Sequence, residues 1–374
     1  MAPLRYTPHS VYFTQTNLFV SGKGAYHSYR IPAVLATAGG TVLAFCEGRC
    51  DSNSDFGEID ILVRRSHDYG KNWDVPQVVV SHRGFTCGNP CVVEDRSCGR
   101  ILLLFCKNPA EAGEEHVVQG RAERTVWVSS SDDDGASWST PREITQSVKQ
   151  SSWTWYATGP GHGIQLAGGR LVVACDHIRG LSADRARDPI HSHLITSDDG
   201  GGSWRIGGIV EAATDECAVA ETVDGRLYLT CRAGWQEREN FRGLAWSDDG
   251  GDTLSQLEWD RNLVDPVCQA GLVGAPPAVR GAPGTVFFSN PAASDRRNLT
   301  VRMSTDGCLS WPVARSLHAG PAAYSDLAVL PNGSICCLYE GGTEHPYEWL
   351  RCAIFDLAWL NDRAGLTTRP SSPH

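Results

Sequence analysis

Short apolar runs recur along this chain, and a shared polar signature follows each of them. Ile61-Leu62-Val63, Val126-Trp127-Val128, Leu194-Ile195-Thr196, Leu244-Ala245-Trp246 and Thr300-Val301-Arg302-Met303 read as strands. Each leads into Ser-x-Asp-x-Gly-x-x-Trp. Ser66/Asp68/Gly70/Trp73, Ser131/Asp133/Gly135/Trp138 and Ser197/Asp199/Gly201/Trp204 fit in full. A fourth copy, Ser247/Asp249/Gly251, ends in Leu254. A fifth has Ser304, Asp306 and Trp311, with its glycine slid to Gly307. The serines are spaced by 65, 66, 50 and 57 residues, a period that marks a repeat architecture. Asp and Gly between two apolar runs predict a hairpin turn, so these boxes read as structural punctuation without chemistry of their own.

A second repeat interleaves with the first: glycine, a polar residue, then two apolar ones. Its copies begin at Gly40, Gly99, Gly169, Gly225, Gly284 and Gly333. Each predicts the turn of an inner hairpin. One strand before this glycine, one after it, one entering the box and one leaving it make four strands per unit. Six such units predict an all-β, six-bladed β-propeller. The sixth unit has no box, and Val11-Tyr12-Phe13 is the candidate for its missing strand. The rival arrangement is a pair of β-sandwiches, which regular interleaved turns disfavour.

Composition narrows the field. The chain has 374 residues, 41% of them hydrophobic, ample for a large core. No linker interrupts the repeat, so residues 1–366 read as one domain and 367–374 as a tail. A net charge of −10 weighs against a nucleic-acid or anionic-membrane partner. No apolar run reaches the roughly 20 residues needed to span a bilayer. Met1-Ala2-Pro3-Leu4-Arg5 lacks the apolar core of a signal peptide, and the expected location is cytoplasmic. Most of the 14 cysteines lie inside apolar runs, where they behave as small hydrophobes. Cys46/Cys50 and Cys87/Cys91 have no second pair at zinc-site distance, so no metal or other cofactor is expected.

The predicted topology sorts residues by end. Boxes and glycine turns fall at one end of the strands. Residues before the first strand of a unit, after the second, or before the third fall at the other. That second set contains Arg30, Glu47, Arg49, Asp55, Glu216, Arg232, Arg296, Arg297, Tyr324 and Glu340. Several arginines, carboxylates and a tyrosine around one funnel suit a small anionic ligand, because guanidinium forks match carboxylates.

Taken together, the Asp boxes, Tyr29-Arg30-Ile31-Pro32, Cys46-Glu47-Gly48-Arg49, Gly88-Asn89-Pro90, Trp155 to Gly161 and Tyr324-Ser325-Asp326-Leu327 resemble the sialidase (neuraminidase) family. The likeness covers nearly the whole chain. It implies a six-bladed propeller and an exo-acting glycoside hydrolase that removes terminal α-linked sialic acids from glycoproteins, gangliosides or oligosaccharides with retention. It further implies that Arg30, Arg232 and Arg296 grip the sugar carboxylate, with Arg296 chosen over Arg297 by the family spacing. Tyr324 is implied as nucleophile, Glu216 as its base, and Asp55 as acid/base with Asp51 as rival. Glu340 is implied to orient Arg30, and Arg49 to line the pocket near the sugar's O4. Asn89 and Asp176 are the further substrate-binding candidates. Val173-Ala174-Cys175-Asp176-His177 departs from the vertebrate cytosolic pattern and is closer to bacterial members. Alternatives are a trans-sialidase, a hydrolase for the deaminated sugar, or a non-catalytic sialic-acid-binding propeller. The last would need the arginines but not Tyr324, Glu216 and Asp55 together.

Overall fold

The computed structural model describes residues 11–180, 190–211, 213–234, 240–276 and 284–362; the proposed tail, 367–374, lies outside them. The described elements are almost all strands, with three helices of five residues or fewer. Antiparallel pairing follows the sequence repeat. Ser28–Ala36, Val42–Arg49, Ile59–Ser66 and Gln77–Val80 pair in order. The second group is Phe85–Asp95, Arg100–Pro109, Thr125–Ser131 and Arg142–Glu143. The third is Trp153–Thr158, Leu171–Arg179, Ile190–Ser197 and Arg205–Ile209. The fourth is Thr214–Glu221, Leu227–Ala233, Phe241–Ser247 and Glu258–Val264.

The fifth group begins Gly271–Gly274, Val286–Pro291, Arg297–Ser304 and ends on the first part of Val313–Val329. The second part of that long strand opens the sixth group, followed by Ile335–Gly341 and Trp349–Phe355. Phe13–Val20 completes it, with Phe13 opposite Phe355 and Val20 opposite Trp349. The closing strand therefore starts at Phe13 and runs onward, where the sequence pattern puts Val11-Tyr12-Phe13. Further pairings merge the groups into sheets of seven, nine, five and four strands, none of which closes on itself.

Strands that read as unbroken apolar runs are buried on both faces, because side chains alternate with period two. Val42, Ala44 and Cys46 join a cluster with Leu338, Leu350 and Ile354 of the sixth group. Leu43 and Phe45, between them, join one with Val92, Leu103 and Phe105 of the second. The same division recurs along the chain. Clusters join groups two and three, three and four, four and five, and five and six.

The turns follow their chemistry. All six inner-hairpin glycines have φ between 71° and 95°, the left-handed region that glycine enters without penalty. In each box the serine hydroxyl donates to the aspartate and accepts the backbone N–H four residues on, as with Ser131, Asp133 and Gly135. The fifth box differs from its sequence reading. The N–H that meets Ser304 belongs to Cys308, held at φ 67°, and not to Gly307.

One end of the strands is regular and the other is not. At the regular end a cavity of about 340 Å3 is lined by a strand of every group, through Ala36, Glu94, Glu221, Gly274 and Val329 and through Gln165 of a short strand, Ile164–Gln165, that also pairs with Leu171–Arg179. At the other end the pairing of five leading strands slips. The slips lie between Arg30 and Ala33, Gly88 and Cys91, Trp153 and Tyr156, Thr214 and Cys217, and Ala322 and Ser325. Bulges of this kind kink a strand and re-aim its side chains.

Candidate active site

The bulged ends bring distant residues together. Pro32 restricts the residue before it, and Ile31 takes φ 61°, strained for a β-branched side chain. Glu340 holds that backbone in place. Its Oε1 accepts Ile31 N–H (2.8 Å) and Arg30 Nε (2.7 Å), and its Oε2 accepts Tyr324 N–H (3.1 Å). Glu340 is fully buried, and these charge-assisted bonds offset its desolvation. One carboxylate thereby fixes both Arg30 and the segment bearing Tyr324.

Tyr324 Oη donates to Glu216 Oε1 (2.7 Å), and Arg232 Nη1 donates to both Glu216 Oε2 (2.6 Å) and Tyr324 Oη (3.0 Å). Burial raises the Glu216 carboxyl; Arg232 opposes the shift and Asp215 reinforces it. Burial also pushes the Tyr324 phenol well up, with Glu216 adding to the rise and Arg232 and Arg296 opposing it. In this pair the phenol is the donor and the Glu216 carboxyl the acceptor. Arg30 and Arg296 each place their guanidinium carbon 5.5 Å from the Tyr324 ring.

Arg296 donates to Tyr347 Oη (2.9 Å) and to the carbonyl of Val267 (3.1 Å). Val267 sits at φ 56°, in a turn where buried Arg242 donates to the Cys268 carbonyl and Asp265 accepts Cys268 N–H. Arg297 faces away, is largely exposed, and pairs with Asp295 (2.7 Å).

Asp55 lies on an open loop, its side chain 81% exposed, 2.8 Å from Arg49 Nη1 and 3.8 Å from Arg30 Nη1. Desolvation by the surrounding walls works to raise its pKa, but Arg49 and Arg30 outweigh it and leave the carboxyl below its ordinary value. Asp51 forms no ion pair among the described residues. Arg49 is held by Glu47 through Nε (3.0 Å) and Nη2 (2.7 Å), and Glu47 also accepts Asn89 N–H (2.8 Å). Asn89 takes φ 55° and presents Oδ1 to Arg124.

Asp176 makes no hydrogen bond or ion pair with this group among the described residues. It has no solvent exposure, and neither carboxylate oxygen has a hydrogen-bond partner among the described residues. Burial, then Asp215 and Glu216, raise its carboxyl well above the ordinary value. No part of it is accessible to a ligand in this conformation. Tyr347 and Arg124 are not singled out by the sequence pattern. Nothing about Tyr347 marks it except that it lies seven residues beyond Glu340. Among the described residues no group of three His, Cys, Asp or Glu side chains is placed to hold a metal, and no helix is long and apolar enough to cross a membrane.

Residues 40–337 match the family described as "BNR repeat-like domain". Among curated proteins, a sialidase of Micromonospora viridifaciens is 33% identical over 93% of this chain, which spans 54% of that enzyme. Sialidase-3 of Bos taurus is 30% identical, with 88% of this chain and 89% of the bovine protein aligned. The chain thus spans about half the length of the Micromonospora relative and most of the bovine one. Among solved structures, the Hadza microbial sialidase Hz136 superposes with a TM-score of 0.82 at 28% identity, over 92% of this chain and 69% of that one.

Proposed function

We propose, since this chain belongs to the sialidase family, that it is a retaining exo-α-sialidase acting on terminal sialic acids of glycans through a tyrosine-linked intermediate. One observation carries this reading. A buried phenol bonded to a carboxylate and an arginine is flanked by two further arginines and faced by an exposed aspartate. Sialic acid bears a carboxylate on its anomeric carbon. A carboxylate nucleophile would meet like charge there, which a neutral tyrosine avoids.

In this reading Arg30, Arg232 and Arg296 bind the sugar carboxylate. Tyr324 Oη attacks the anomeric carbon as its proton passes to Glu216. Asp55 gives a proton to the departing glycosidic oxygen. In the second step Asp55 takes a proton from water, the water oxygen displaces Tyr324, and Glu216 returns the phenol proton. Two inversions give retention. A general acid must hold a proton before it can act. An incoming substrate carboxylate screens the arginine field on Asp55 and so raises its pKa toward a working value.

Six strand groups arranged as blades of a six-bladed propeller fit this site. Clusters joining each group to the next, and the sixth to the first, support that arrangement. So does a cavity lined by a strand of every group. The test is release of a fluorogenic leaving group from an α-sialoside, with the anomer first formed read by NMR. Release of the α-anomer supports the reading; inversion or no release overturns it. Adding a sugar acceptor separates hydrolysis from transfer.

A further inference from the structure

We propose that Tyr347 is a positioning residue for the arginine cradle, seating two of its guanidiniums by two different parts of one side chain. The proposal rests on the reading of Arg30, Arg232 and Arg296 as a carboxylate grip. The Tyr347 hydroxyl accepts Arg296 Nη1 at 2.9 Å. Its ring lies under Arg30, with the guanidinium carbon 3.9 Å from the ring centre. A guanidinium that close to an aromatic face is attracted to it and held flat. Arg30 is therefore fixed by one edge, through Glu340, and by one face, through Tyr347.

The three arginines differ in how their charge is met. Arg30 is paired with Glu340, and Arg232 with Glu216 and Asp215. Arg296 is seated among the described residues by two neutral acceptors, the Tyr347 phenol and the Val267 carbonyl. A carboxylate in either place would have neutralised it. A phenol aligns it and leaves its charge for an incoming anion.

The loop carrying Tyr347 is built to hold it still. Glu348 accepts the N–H groups of Glu344 (2.7 Å) and His345 (3.0 Å) and the hydroxyl of Thr343 (2.8 Å). Those bonds lower the Glu348 carboxyl to about 2. Ser21 then ties the loop to the first strand, its hydroxyl donating to the Tyr347 carbonyl (2.8 Å) and its N–H to the Glu348 carbonyl (2.9 Å).

The test uses Tyr347→Phe, which removes the hydroxyl and keeps the ring, and Tyr347→Leu, which removes both. The probes are the 2,3-dehydrated sialic acid analogue and its methyl ester, which lacks the anionic carboxylate. Tyr347→Phe is expected to weaken the free acid about tenfold and Tyr347→Leu about a hundredfold, with the ester changed by less than about threefold. KM for the α-sialoside should rise more than kcat falls. Equal losses for acid and ester would mean general structural damage and would overturn the proposal, as would wild-type acid affinity in Tyr347→Phe. A wild-type protein that neither cleaves the sialoside nor binds the acid would overturn the underlying reading instead.

Discussion

Aspartates and glutamates stand at both ends of these strands, and the two sets behave in opposite ways. In the box turns Asp68, Asp133, Asp199 and Asp249 are bound by hydroxyls and N–H groups of their own turn. Those local bonds pull the first three carboxyls to about 2. For Asp249 desolvation works to raise the carboxyl, but the turn's bonds outweigh it and bring it to about 2 as well. At the other end Glu216 and Glu340 are buried, and their partners lie from 16 to 310 positions away. The repeated motif builds the scaffold. The proposed site sits where the repeat is broken, at the bulged ends that bring Arg30, Glu216 and Tyr324 into reach of one another.

The largest effect is expected at the phenol. Tyr324→Phe is expected to cut turnover roughly a thousandfold or more while the 2,3-dehydrated analogue still binds within about tenfold, since the arginines remain. Near-wild-type turnover would remove Tyr324 as nucleophile. Next comes the register of two neighbouring arginines. Arg296→Ala should lower kcat/KM by at least about a hundredfold, whereas Arg297→Ala, which loses only an exposed pair, should stay within about tenfold. The reverse ranking would place the grip on the wrong residue.

Asp55→Ala should reduce cleavage of natural glycosides far more than that of an activated aryl sialoside, whose leaving group departs with little protonation. Equal losses would reopen the case for Asp51. The two sets of carboxylates should also part company with pH. Glu216 must be ionised to accept a proton, and its pKa is raised, so kcat/KM should fall as pH drops through a value above the ordinary glutamate one of about 4.3. The box aspartates have depressed folded values. Their contribution to stability is therefore present above the unfolded value of about 3.9 and is lost only as pH falls toward about 2. An activity limb that coincided with titration of the boxes would contradict this separation. The smallest effect is expected at a turn: Asp133→Ala should lower the thermal midpoint modestly and leave kcat/KM unchanged.

Much of this was legible because turn chemistry is local. A serine, an aspartate and a glycine at fixed spacing satisfy one another within about seven residues, so the boxes and inner-hairpin glycines could be read directly. Where the spacing slipped, the structure kept the hydrogen bond and strained the residue, which is why Cys308 and not Gly307 meets Ser304. Asp176 shows a limit of another kind. In a strand buried on both faces, alternation no longer points to an exposed side, and a polar residue inside Val173-Ala174-Cys175-Asp176-His177 gives no sign of whether a ligand can reach it. The bulges depend on pairing between strands, and Tyr347 depends on two arginines from other groups. Neither leaves a local pattern.

In the proposed mechanism Tyr324 becomes covalently attached to the sugar. The most direct measurement is mass spectrometry of the protein after exposure to a 3-fluorosialosyl fluoride, in which the fluorine slows breakdown of the intermediate. The account predicts a stoichiometric sialyl adduct on the peptide containing Tyr324, absent in Tyr324→Phe. An adduct on Asp55 or Glu216, or turnover of the probe with no adduct at any time point, would contradict it.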